Sequence, residues 1–495
     1  MSQSDRTANP AKQVPPLLST VEKITEKLCD FHDRLPPMVV KELRQGMRAR
    51  AFVGVFLTLQ GFLALVMLFA ISSGGTSDAG ETVSRIIFFF FTVAVLCIQP
   101  LRAVNALHGE IKSGAIDLMV LTKLSARRIA IGKWAAIMAQ SLLIFVSIAP
   151  YLILRYFFGG MNLFAELLTL TTILIASGCV TAINVGVSAN GAILLRSLVP
   201  LAAGAFLFFG TCGVCFNREF REVIEFMSMN MEHAWGVYAA LMVGALYISW
   251  MMFGLSISAI APLAENHSTF NRIVAVAVAI LVAVTMYFVE ADKRAYPFAL
   301  GSVIMPIVLF AFCEPKYLLA IVTRPFVKRG LLGRLFGSVM YPCSSAGIFY
   351  GLGMIAILVI VAQIAYGGSS SSSRIEMHAF VNSVCASMLF SAILLQLLMK
   401  RIENLLGVYI GIVTSGLIIF GAIAAICESM NNDQAALLFF WIPQVNFYNL
   451  EKNEEVTLFL SYMTLFVYGT ILFVYGLRGR NDVIRAEKEE MDLYR

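Results

Sequence analysis

The sequence predicts an all-α fold, a polytopic bundle of membrane-spanning helices, and three observations carry that prediction. Hydrophobic residues make up 59% of the 495-residue chain and charged residues only 14%, against about 25% charged in a soluble domain. Runs of roughly 20 apolar residues recur along its length, each long enough to cross a hydrocarbon core about 30 Å thick. The runs are continuous and do not alternate with period two, the pattern a transmembrane barrel would need.

The runs place about twelve spans. The first six fall near residues 51–73, 85–104, 134–157, 165–187, 197–216 and 234–260, the second six near 272–290, 298–313, 342–366, 377–399, 405–427 and 456–476. A polar N-terminal segment (1–50), a connector (261–271) and a tail (477–495) complete the organisation. The first fifty residues hold no apolar core with a small-residue cleavage site, so no secretory signal is expected. Lys and Arg concentrate in the segments before 51, at 105–133, at 316–334, at 400–401 and at 478–480. The positive-inside rule then makes both termini cytoplasmic.

The loops between spans follow the same order in each set of six. Each set has a long basic inner loop (about 105–133 and 314–341) and a long outer loop (about 217–233 and 428–455). This suggests two parallel six-helix repeats related by an axis along the membrane normal. The net charge of +6 is spread over these loops and is no nucleic-acid footprint. Eight of nine cysteines lie in apolar runs, Cys29 being the exception, so they read as small buried hydrophobes. Cys212 and Cys215 have CxxC spacing without a redox context, and packing is the expected role.

Before the first span, Val39, Leu43 and Met47 recur at helical spacing, with Lys41, Arg44 and Arg48 on other faces and Glu42 between. Such a helix suits the headgroup layer, apolar side down. Pro36 and Pro37 fix its start, because proline fits a first turn but not a helix interior. Phe220, Val223, Ile224 and Met227 predict a second amphipathic helix in the outer segment 217–233. Residues 437–450 are apolar, too short to span and broken by Pro443, which suits a re-entrant or interfacial element. Arg102, Arg155, Glu166, Arg196, Glu290, His378 and Glu428 fall near span ends, where snorkelling accounts for them.

The loop EIKSGAIDLMVLTKLSARRIAIGK, residues 110–133, interrupts the spans with polar and basic residues. Together with PPMVVKELRQGMRARAF before the first span, it resembles the membrane-spanning subunits (permeases) of the type-2 ATP-binding-cassette (ABC) exporter superfamily. The coupling region of that family is similar at Glu110, Gly114, Leu118 with Leu121, Thr122-Lys123-Leu124-Ser125, Ile129 and Gly132-Lys133. Lys123 stands where a proline is commoner and Ala115 where a threonine is. Residues 261–269, APLAENHST, resemble the exit segment of these permeases, so the likeness covers about residues 36–270. It implies separate ABC ATPase subunits, two of them, that bind ATP and Mg, with no cofactor on this chain. Ile116, Leu118, Met119 and Leu121 would anchor such a partner, and Glu110, Lys112, Asp117, Arg127 and Arg128 would form the polar rim. A capping hairpin at 217–233 is also implied. An ordinary basic loop is the plain alternative.

No phosphate-binding loop is present, because Gly132-Lys133 is followed by Trp134 and preceded five residues earlier by Arg127. HExxH and GxSxG are also missing from the sequence. The expectation is therefore a permease subunit in a prokaryotic plasma (inner) membrane, not itself an enzyme, in contact with lipid. It is a full pseudo-dimer if the halves repeat, and one half of a homodimer or heterodimer if they do not. An ion-gradient-driven secondary transporter is the first alternative, expected to show broken helices and midplane carboxylates. A multi-span membrane enzyme is the second.

Overall fold

The computed structural model describes residues 37–72, 77–115, 125–157, 159, 162–189, 196–197, 199–230, 234–261, 265–288, 293–367, 371–398, 405–429, 441–443 and 454–492. Among them the secondary structure is helical throughout, with no strand. A short helix α1 (Pro37–Met47) leads into α2 (Arg50–Ser72). Then α3 (Ser77–Thr92) continues through a π-helical segment Val93–Ile98, a single turn Gln99–Leu101 and a 3-10 segment Arg102–Asn105 to α4 (His108–Lys112). The first half ends with α5 (Ala126–Tyr156), α6 (Leu163–Ser188), α7 (Val199–Phe216), α8 (Glu219–Met227) and α9 (Ala234–Ile260). The second half comprises α10 (Ser268–Phe288), α11 (Tyr296–Phe312), α12 (Ala320–Val327), α13 (Gly330–Met340), α14 (Ser344–Tyr366), α15 (Ser371–Leu398), α16 (Leu405–Ser429) and α17 (Glu454–Asp492).

Among the described residues nine helices are long and apolar enough to cross a membrane, or ten if α7 and α8, bent by 89°, count as one span. The chain is a multi-pass helical membrane protein. Each of the apolar runs read from the sequence coincides with a helix, but the 17-residue α11 and the apolar part of α16, Leu405–Gly416, are shorter than that span length. Most of 437–450 lies outside the described residues; Trp441, Ile442 and Pro443 form a turn.

The helices pack at small residues, as lipid offers no hydrophobic drive for helices to associate. A Cβ on Gly186 of α6 would overlap the Met252 carbonyl of α9, and one on Gly347 of α14 would overlap the Ala311 carbonyl of α11. Buried side chains divide into a cluster of α2, α3, α5 and the α7–α8 corner, a smaller one beneath α1, and a large one in the second half. Tyr247 and Met251 of α9 belong to the last, and the Tyr247 hydroxyl donates to the Val303 carbonyl at 2.9 Å, so α9 joins the halves.

The second span is the irregular one. Pro100 has no N–H and the π-helical turn shifts the bonding register, which frees carbonyls that lipid cannot satisfy. Side chains of α6 take their place: Ser177 Oγ donates to the Val95 carbonyl at 2.6 Å and Asn184 Nδ2 to that of Pro100 at 2.9 Å. Pro150 and Pro306, by contrast, sit inside continuous helices.

Candidate functional site

At one end of the bundle, α1, α4 and the start of α5 meet in a charged cluster. Lys133 Nζ lies 3.0 Å from Glu110 Oε1 and 3.4 Å from Glu42 Oε1, and Lys41 Nζ is 3.8 Å from each. The Lys133 side chain is only 7% exposed, which makes these carboxylates its compensation. Glu110 Oε2 is buried without a hydrogen-bond partner among the described residues.

Two glycines allow α1 to approach. A Cβ on Gly132 would lie 2.7 Å from Met38 Cγ, and one on Gly46 would overlap the Gln140 amide. Met38 is therefore buried against α5; of the residues expected on the apolar side, Val39 and Leu43 are half-buried and Met47 is exposed, while Lys41, Arg44 and Arg48 remain exposed. Arg102 closes the far end of α1. Its guanidinium donates to the Gly46 carbonyl at 3.3 Å, to Gln99 Oε1 at 3.1 Å and to Gln140, and lies 5.8 Å from the Phe52 ring. It turns inward and does not snorkel.

The other sequence-predicted loop residues are placed as follows. Gly114 ends the turn after α4 with φ +68°, a left-handed conformation that strains a residue bearing Cβ. Ser125 precedes α5 and its carbonyl accepts from the N–H groups of Arg128 and Ile129. Arg127 points to α9, its guanidinium 5.6 Å from the Trp250 ring, and takes no part in the Lys133 cluster. Asp117, Leu118, Leu121 and Thr122, with Ile116 and Met119, lie outside the described residues.

Sequence reasoning placed the basic residues of 316–334 on the inner side but missed the ion pairs that the second half makes at the same end. Arg272 at the start of α10 is fully buried and its guanidinium bonds Glu314, just after α11, and the Val339 carbonyl. Burial pushes the Glu314 carboxyl above the usual carboxylate range, while Arg272 and the Ser268 hydroxyl pull against that. The hairpin of α12 and α13, turned at Gly330 (φ +69°), is tied to the end of α17. Arg334 Nε donates to Glu487 Oε2 at 2.8 Å, the Tyr341 hydroxyl donates to Glu487 Oε1 at 3.0 Å, and Arg324 Nε is 3.6 Å from Glu490. Residues 477–492, read from the sequence as a tail, are thus the helical end of α17. The available signal was the pair of acids three residues apart, one helical face.

At the opposite end, Arg155 is buried and not reaching for headgroups. Its Nε donates to Ser84 Oγ at 2.7 Å, Nη1 to the Gly159 carbonyl at 2.8 Å, and Nη2 lies 3.6 Å from Glu166. Above it, α8 presents Phe220 to Phe88 and keeps Glu219, Arg221, Glu222 and Glu225 exposed, an amphipathic helix as its spacing predicts. Arg85 fixes the α7–α8 corner through the carbonyls of Cys215 and Asn217, and Glu81 joins Arg85 to Arg221.

The arrangement can transmit force. It couples α1, α4 and α5 through ion pairs, and α5 continues for 31 residues to the far side. Replacing Lys133 with Met leaves Glu42 and Glu110 with only the exposed Lys41, 3.8 Å from each, as counter-charge and is expected to lower unfolding free energy by about 1–3 kcal/mol. Lys133→Arg should retain most of it; titration of the detergent-solubilised protein with denaturant checks both. No protein-family model, curated protein or solved structure matches the chain.

Proposed function

We propose that the chain is the membrane-spanning subunit of an ABC exporter, driven by ATP hydrolysed on separate ATPase subunits that dock around residues 108–133. The observation that carries this reading is the Lys41–Glu42–Glu110–Lys133 cluster, which makes α1, the end of the second span and the start of the third one mechanical unit. Rigid docking of that unit by a partner moves two spans at once. The exposed Arg128 beside it belongs to the rim such a partner would touch.

In this reading the chain has about twelve spans in two parallel six-helix repeats, with both termini on the side of the ATPases, in a prokaryotic plasma membrane. Three features support the repeat. An acid follows the second helix of each half, Glu110 and Glu314, and is paired with a buried cation. A left-handed glycine, Gly114 or Gly330, turns the loop that follows. The fourth and sixth helices of each half, α6 with α9 and α15 with α17, pack along each other.

The test is co-purification from native membranes. The tagged chain is expected to retain an ATP-hydrolysing subunit, and Arg128→Glu to reduce that retention about tenfold, an effect typical of a charged interface hot spot. The amount of the chain in the membrane should not change. Undiminished retention by the variant, or cargo movement by the chain alone in vesicles, would refute the reading.

A further inference from the structure

A groove of about 640 Å³ lies between α5, α6, α9 and the start of α10, away from the charged cluster. Its chemistry is graded along its length. At the α1 end stand Arg127, His267 and Asn271; from there to Met138 on α5 and Leu174 on α6 the walls are almost wholly apolar. The polar groups in those walls are already satisfied. Trp134 Nε1 donates to the Gly178 carbonyl at 2.9 Å, and Ser249 Oγ donates to the Ala245 carbonyl at 2.6 Å.

Arg127 is the exception. Its guanidinium lies flat against no carboxylate: it sits 5.6 Å from the Trp250 ring and has no hydrogen-bond acceptor among the described residues. No carboxylate lines the groove. Glu265, bonded to His267 at 2.9 Å, is not among the lining residues, so Arg127 is the permanently charged side chain of these walls. A guanidinium offers five donors in a planar fork that matches phosphate oxygens.

Two dimensions identify the occupant. Arg127 and Met138 are eleven residues apart on one helix, about 16 Å at 1.5 Å per residue. That is roughly half of a hydrocarbon core about 30 Å thick, the depth of one leaflet. The groove is also flanked by exposed apolar side chains, Ile131, Leu246 and Phe270, so its open side faces the bilayer.

We infer that this groove is a binding site for an anionic phospholipid of the leaflet on the α1 side, with the phosphate at Arg127 and an acyl chain along Trp134 and Met138. The site needs no ATPase, and its occupancy is separate from the permease reading.

The chain has four tryptophans, and Trp134 and Trp250 line the groove. In a Trp235→Phe, Trp441→Phe background these two report on it alone. The full chain is reconstituted in phosphatidylcholine vesicles carrying either brominated phosphatidylglycerol or the same share of brominated phosphatidylcholine, and tryptophan quenching is measured. An apparent association about fivefold stronger for the anionic lipid is expected, as one arginine near the bilayer surface provides. Arg127→Gln should abolish that preference while leaving quenching by the zwitterionic lipid unchanged. Ala182→Phe, which fills the groove, should lower quenching by both. Equal quenching by the two lipids in the parent, a preference surviving Arg127→Gln, or quenching indifferent to Ala182→Phe in a folded variant would each overturn the proposal. Because Arg127 is exposed, its variant keeps the test valid if Ala182→Phe does not fold.

Discussion

Arg272→Met is expected to lower the unfolding free energy by about 3–5 kcal/mol, the range for removing one partner of a buried ion pair. The guanidinium is fully buried, bonded to Glu314 and the Val339 carbonyl, and lies 5.1 Å from the Tyr350 ring. Removing it leaves a buried carboxylate held by the Ser268 hydroxyl alone. Glu314→Leu should destabilise in the same range for the opposite reason, because the guanidinium loses its counter-charge. The double variant Arg272→Met, Glu314→Leu should recover most of the loss, since a buried ion pair replaced by apolar groups is often neutral or better. A double-mutant cycle read from denaturant unfolding in detergent separates the pair from its surroundings. Additive single effects would show that the two residues do not act together.

Gly347→Val and Gly186→Val form the second large pair, each with an expected loss of about 3 kcal/mol, the upper part of the range for overpacking a tight site. The overlapping atoms are backbone carbonyls, Ala311 O and Met252 O, which cannot swing aside as a flexible side chain could. The helices α14 and α11, or α6 and α9, would have to separate. The control lies on α14 itself: a Cβ on Gly353 would meet nothing within 4 Å. Gly353→Ala should therefore be neutral or slightly stabilising, because alanine is the better helix former. Equal melting shifts at Gly347 and Gly353 would remove the close crossing as the explanation.

The helices themselves were legible in the chain. A run of 20 apolar residues is a property of one segment against lipid, and it needs no partner to be read. Pro37 marks the start of α1, and the spacing of Phe220, Val223, Ile224 and Met227 yields the half-buried face of α8 for the same local reason. The bend between α7 and α8 and the π-helical turn before Pro100 were not visible, as both depend on contacts from elsewhere: Arg85 at one, Ser177 and Asn184 at the other.

The candidate site divides along the same line. Glu110, Gly132 and Lys133 stand out in the sequence as a polar break between spans, and Glu42 as an acid in a basic helix. That Lys133 reaches both Glu42 and Glu110, that Arg127 turns away to Trp250, and that Arg272 meets Glu314 were settled only by tertiary structure. Hydropathy sets how deep each helix sits in the bilayer. The rotation and separation of two helices come from the small residues where they cross, here Gly46 of α1, Gly132 of α5 and Gly347 of α14. Charges distant in sequence pair only after those crossings are made, so the sequence alone determined which segments enter the membrane, and packing decided which side chains could meet there.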